Sequence, residues 1–285
     1  MKLINVVTAL WGEPWLITPA MHKKLCDIVD GHITGAAHAP GGIAVMFPGD
    51  DKPAEYKFQQ VDNLAVIPIH GVIGKHVGAM EKSSGATDVN DIDRELDRAL
   101  DDDSIKGILL DINSPGGTTT GVPELADKIA QVAVEMPVVA YTDSMMASAA
   151  YWLGSSADLI VASQSAQVGS IGVYMAWLDE SRAMEMQGYK MELIKRGKFK
   201  GAGISGTSLS QEGRDLLQKS VDQVYDWFTD HVKTFREDAP QEAMEGQTFF
   251  SVEALQNDLI DMVGTRNHAM RQLSEMAQEN TGGEL

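Results

Sequence analysis

Between Leu64 and Ala162 the chain alternates strand-length apolar runs with stripes of helical period, and few folds satisfy that alternation. Leu64 to Ile69 is an apolar run closed by His70-Gly71, and Val89, Ile92, Leu96 and Leu100 follow at helical spacing. Gly107 to Ile112 predicts a second strand that runs into the turn Asn113-Ser114-Pro115-Gly116-Gly117. Leu125, Ile129, Val132 and Ala133 stripe the next helix, with Pro123 in its first turn, where a missing N–H costs nothing. Pro137 ends that helix, Val138 to Tyr141 is a third strand, and a short helix opens near Ser148 and covers Ala149 to Gly154. Leu159 to Ala162 predicts a fourth strand and Met191 to Ile194 a later one.

The stripe Leu216, Leu217, Val221, Val224, Tyr225, Phe228, Val232 marks a long amphipathic helix. Ser208 and Gln211 have capping-box spacing at its start. Strands alternating with helices imply an α/β domain with mainly parallel pairing. Three regions are expected: an N-terminal segment over 1–60, a domain over 61–266, and a polar, disordered tail over 267–285. Residues 1–60 are open to reading as a propeptide, a docking arm or part of the fold.

The formal charge of −18 excludes a nucleic-acid binder, which needs a basic surface. The single cysteine, Cys26, excludes an internal disulfide and reads as a packing residue in a reducing compartment. No run reaches the roughly 20 apolar residues of a membrane span, and Leu3 to Leu10 is too short for a signal peptide. A cytoplasmic protein is expected. No His/Asp/Glu/Cys group has metal-ligand spacing, so neither metal nor cofactor is expected.

Three motifs could carry chemistry. A Gly pair after a buried strand, Gly116-Gly117, can turn backbone N–H groups into a cleft, where they suit a developing oxyanion. Ser148 and Ser144 both follow the third strand, and either could cap the next helix or act as a nucleophile. A serine nucleophile needs a base, yet none of the seven histidines lies between Ser148 and residue 230. His70, at a strand end, is the one histidine to consider. Lysine is the alternative, and Lys198 and Lys200 share one face of an extended segment, so spacing does not separate them. A lysine base must be neutral, which burial can achieve by lowering its pKa by up to about 3–5 units.

Taken together the motifs resemble the signal peptide peptidase A family of Ser-Lys serine peptidases, peptidase family S49. The likeness runs from about Leu64 to Gly264 through Ile67-Pro68-Ile69-His70-Gly71, Asp111 to Gly117, Ser148-Ala149-Ala150-Tyr151, Gln167 to Val173, Gly197-Lys198-Phe199-Lys200, Gly246 to Phe250 and Leu259-Ile260-Asp261. The resemblance implies a crotonase-like, Clp-protease-like α/β superfold, a nucleophilic Ser148, a general base at Lys200, an orienting role for Ser170, and an oxyanion hole at Gly116 or Gly117. It also implies a protein or peptide substrate and a homo-oligomeric ring or dome.

Within the family the chain is most similar to the head-maturation (capsid assembly) proteases of tailed phages, whose N-terminal pattern is matched by Glu13-Pro14-Trp15-Leu16-Ile17-Thr18-Pro19-Ala20. Phage capsid and scaffold proteins are therefore expected partners, in the host cytoplasm or procapsid. Asp258 stands where the family pattern has Gly, which concerns a turn. The rival readings are a Clp-like Ser-His-Asp peptidase, a signal-peptide-remnant or membrane-protein peptidase, a coenzyme-A hydratase or isomerase, and a non-catalytic assembly protein.

Overall fold

A computed structural model describes residues 14–33, 56–83, 85–177, 179–204 and 206–282. The opening run Leu3 to Leu10, most of the Gly/Pro/His-rich stretch 31–53 and the last three residues lie outside the described residues.

In chain order the first elements are β1 (Trp15–Ile17), α1 (Pro19–Ile33), β2 (Gln59–Val61), β3 (Leu64–His70) and β4 (Ile73–Gly74). Then come α2 (Ala79–Ser83), β5 (Thr87–Asp88), α3 (Val89–Leu100), β6 (Gly107–Asn113), β7 (Gly116–Thr118) and α4 (Val122–Glu135). The middle of the chain forms β8 (Val138–Thr142), β9 (Met145–Ala147), α5 (Ala149–Ser155), β10 (Leu159–Ala162), β11 (Gln167–Gly169) and α6 (Ser181–Met186). The last elements are α7 (Gln211–Phe235), a 3₁₀ turn, β12 (Thr248–Phe250), α8 (Ser251–Gln256), β13 (Met262–Val263) and α9 (Arg266–Gly282).

The α/β expectation is met. Six strands form one sheet in the order β13-β10-β8-β6-β3-β2, and every pairing is parallel except that of β2 with β3. Both faces are covered. One packs Ile67, Ile108, Leu110 and Ala140 against the stripes of α3 and α4, and the other packs Val66, Leu109, Val139 and Val161 against α9. Two small sheets, β1-β7-β4-β5 and β12-β11-β9, stand over the C-terminal ends of these strands, where loops of a parallel sheet gather.

Four expectations are corrected. The polar tail is helix α9: Ala269, Leu273 and Ala277, four residues apart, lie buried on the sheet while its polar residues face out. Met191 to Ile194 forms no strand, because it has no partner strand and is mostly exposed, with Ile194 fully so. The cap of α7 is Ser210, whose Oγ accepts from Gly213 N at 3.1 Å, rather than the pair Ser208 and Gln211. Residues 14–33 are part of the fold rather than a segment apart, since β1 is hydrogen-bonded into a sheet and Leu16 is in the main core.

Candidate active site

Strands β9 and β11 run parallel in register, Ala147 beside Gly169. Each chain then leaves the sheet with a serine of left-handed backbone: Ser148 at φ 57° and Ser170 at φ 52°. Both are buried, at 1% and 5% exposure. Such angles are uncommon for residues with a side chain and persist only where the surroundings enforce them. Here the enforcement is visible in the backbone bonds. Ser148 N donates to Gly169 O at 2.7 Å, and Ser170 N donates to Gln247 O at 2.7 Å.

Ser148 precedes α5, yet its hydroxyl makes no capping bond to that helix. The N-cap reading that competed with a nucleophile therefore fails on geometry. Ser144, the other candidate, is exposed in the turn between β8 and β9, where its carbonyl accepts from Gln167 N.

The Gly pair faces Ser148 from the other side. Ser114 bridges to Met146, Ser114 N donates to Met145 O and Ala147 N to Ser114 O, so the turn after β6 is laced to the strand that delivers Ser148. Gly116 has φ +102°, and a β-carbon there would lie 2.9 Å from Ser148 Cβ. Only a residue without a side chain allows this approach. The buried Ser114 Oγ accepts from Gly116 N at 3.1 Å, which commits that N–H. Gly117 pairs with Leu16 of β1, so its N–H is engaged as well. Ser114 was not foreseen from the sequence; a serine two residues before the Gly pair is the signal that would have found it.

The structure brings together Ser148, Ser170, Gly116 and Gly117. No hydrogen bond joins the Lys200 side chain to any of them. Lys200 lies exposed in a run of turns over 196–203, and among the described residues its ammonium has no hydrogen bond or ion pair. Lys198 pairs with Glu212 at 2.6 Å. His70 is exposed at the end of β3. His231, on α7, is bonded through Nε2 to Ser156 Oγ at 2.9 Å, and burial holds its pKa down to about 4. No histidine among the described residues has a hydrogen bond to Ser148. Met146, Tyr151 and Trp152 are core residues: the Tyr151 hydroxyl donates to Leu259 O and Trp152 stacks on Phe228 at 4.5 Å. Among the described residues no helix is long and apolar enough to cross a membrane, and no cluster has the makings of a metal site.

A buried serine on a strained strand-to-helix joint, faced by a glycine pair on an α/β scaffold, is a candidate site for a serine nucleophile. Residues 130–280 match the sequence profile of peptidase family S49, which is more than half of the chain, and the chain belongs to that family. It is 30% identical over 247 residues to the capsid assembly protease C of Escherichia phage lambda, covering 82% of this chain and 56% of the relative. Identity to the head-tail preconnector protein GP5 of Enterobacteria phage P21 is also 30%, over 248 residues, covering 82% of this chain and 49% of the relative. The chain thus spans about half the length of these curated relatives. A solved structure of the 1510-N membrane-bound stomatin-specific protease with a substrate peptide aligns over 75% of this chain and 80% of its own, at 15% identity and a TM-score of 0.45.

Proposed function

We propose that the chain is a serine endopeptidase in which Ser148 is acylated by a peptide substrate and Lys200 is the general base. The observation that carries the reading is Ser148 itself, buried at φ 57° with no capping bond and faced by Gly116 and Gly117, in a chain of peptidase family S49. The neutral Lys200 amine takes the proton of Ser148 Oγ as that oxygen attacks the carbonyl. A backbone N–H of the Gly pair leaves its present partner to hold the oxyanion, and Gly116 gives the substrate room. The Lys200 ammonium then protonates the leaving amine. Freed of that proton, Lys200 activates the water that hydrolyses the ester. Ser170, beside Ser148 and equally strained, orients the lysine.

For Lys200 to be neutral its surroundings must be dry, and here the side chain is exposed. Assembly of further copies supplies that dryness in our reading. Met186, Tyr189, Met191, Ile194, Phe199 and Ile204, all exposed and all in the segment that carries Lys200, support such a homo-oligomer. The likeness to the phage lambda capsid assembly protease supports phage head or scaffold proteins as substrates and partners, acted on in the host cytoplasm or procapsid.

The test is a pH–rate profile of casein or peptide cleavage for wild type, Lys200→Ala and Lys198→Ala. Loss of activity in Lys200→Ala alone, with a basic limb in the wild type, is expected. An active Lys200→Ala with one pKa near about 6.5 would assign the base to a histidine.

A further inference from the structure

Strand β1 runs along the Gly116-Gly117 strand that faces Ser148. On one edge it pairs antiparallel with β7, Trp15 opposite Thr118, Leu16 opposite Gly117 and Ile17 opposite Gly116. On the other edge Trp15 exchanges both backbone bonds with Tyr174, N–H to O at 2.8 Å and O from N–H at 3.2 Å. Since Trp15 spends its N–H and C=O on Tyr174, alternation turns those of Leu16 toward Gly117. Pro14 O accepts from Thr119 Oγ1 at 3.1 Å and Thr18 N donates to Pro115 O at 3.0 Å, so the strand is pinned at both ends.

The Leu16 carbonyl oxygen lies 2.0 Å and Ser148 Cβ 2.9 Å from the point where a Gly116 β-carbon would stand. The two are therefore neighbours across the side chain that Gly116 lacks. The Leu16 side chain is fully buried in the main core, whereas Trp15 and Ile17 point the other way, toward Met21, Leu25 and Tyr174. This is the arrangement of an extended peptide held by two strand edges with one anchoring side chain.

We propose that β1 is an intramolecular substrate mimic: Trp15-Leu16-Ile17 fills the peptide groove, with Leu16 in the place of the residue whose carbonyl Ser148 attacks. The proposal rests on the serine-peptidase reading for what the groove is used for. A substrate must displace β1, and the groove takes extended peptides with a large aliphatic residue at the cleaved position.

The experiment measures peptide binding without catalysis. A fluorescent nonapeptide with the sequence of residues 12–20 is titrated into full-length Ser148→Ala and into Ser148→Ala carrying Trp15→Ala and Leu16→Ala, with circular dichroism and melting recorded for both. The added pair is expected to tighten binding by about tenfold or more, and the same peptide with Leu16→Asp is expected to lose that gain. Thr119→Ala, which removes only the tie to Pro14, provides a milder variant with a smaller gain in the same direction should the pair unfold the chain. Equal binding to blocked and unblocked proteins, or no binding to a folded unblocked one, overturns the mimic. Fluorophosphonate labelling of the corresponding proteins that retain Ser148 tests the other reading separately. Gained peptide binding with no label at Ser148 keeps the groove and removes the peptidase.

Discussion

A β-carbon on Gly116 would stand 2.9 Å from the β-carbon of Ser148, closer than real β-carbon contacts come. The glycine therefore sets how near the turn after β6 approaches Ser148. The backbone at φ +102° adds a second demand, since an L-residue there is strained by about 1–2 kcal/mol. Gly116→Ala is expected to lose at least about 2 kcal/mol of stability, because strain and overlap add. Fluorophosphonate labelling of Ser148 should fall with it. Urea unfolding and labelling rate check the two effects separately.

Ser148 holds φ 57° and ψ −121°. Strain of this kind costs about 1–3 kcal/mol, and a glycine relieves it while losing some unfolded-state entropy. Ser148→Gly is thus expected to be more stable than wild type by about 1 kcal/mol. Ser148→Ala, which keeps the β-carbon, should show no such gain. Both should be inactive. A denaturant midpoint that rises only for glycine would show that Ser148 is held in place against backbone strain.

The scaffold was legible because its signals are local. Apolar runs of strand length and the stripes of α3, α4 and α7 state their own burial, and Pro137 punctuates the helix before β8. Ser148 and the Gly pair were legible as motifs, but their meeting depends on register: Ala147 beside Gly169, and Ser114 laced to Met145 and Ala147. No spacing rule gives that. Helix α9 was missed because its apolar positions are two alanines and a leucine among many polar residues, so composition outweighed a stripe that works through close approach. Strand β1 was invisible as an element because three residues carry no periodicity, and its partner β7 lies about a hundred positions further on. Met191 to Ile194 was over-read, since apolar residues make a strand only where an edge is available to pair.

Asp258 supplies a smaller case of the same strain. It sits at φ 53° in the turn after α8, a conformation that Asp tolerates better than most residues but that glycine adopts freely. Asp258→Gly is expected to stabilise the fold by about 0.5–1 kcal/mol without changing activity. A thermal melt of the variant checks it.

His231 couples stability to pH. Burial pushes its pKa down to about 4, with Asp127 opposing weakly, against about 6.5 in the unfolded chain. The folded state holds the ring neutral on Ser156 while the unfolded chain protonates it. Its contribution is therefore complete above about pH 6.5, falls as pH drops toward 4, and changes no further below that, for a total of up to about 3 kcal/mol. His231→Gln should flatten this part of the curve. Subtracting the two stability–pH curves isolates the residue, because the carboxylates common to both proteins cancel.

The C-terminal end of α7 is tied to the sheet by one ion pair. Arg236 Nη1 reaches both oxygens of Asp261 at 2.8 Å, its Nη2 donates to Ala157 O at 3.3 Å, and Asp261 Oδ2 also accepts from Ile160 N at 2.7 Å. Arg236 is buried and the Asp261 side chain is one-third exposed, at 33%. Removing the cation strands a half-buried carboxylate and a buried carbonyl, so Arg236→Ala is expected to cost about 3 kcal/mol. Asp261→Asn keeps an acceptor for Ile160 N but leaves the guanidinium unpaired in the core, and should cost about as much. The double variant Arg236→Met with Asp261→Asn removes both charges and fills the volume, so it should be less damaged than the two single effects predict. A double-mutant cycle by urea unfolding measures the difference. Strict additivity would mean that the pair, despite its two 2.8 Å contacts, does not hold α7 to β10 and β13.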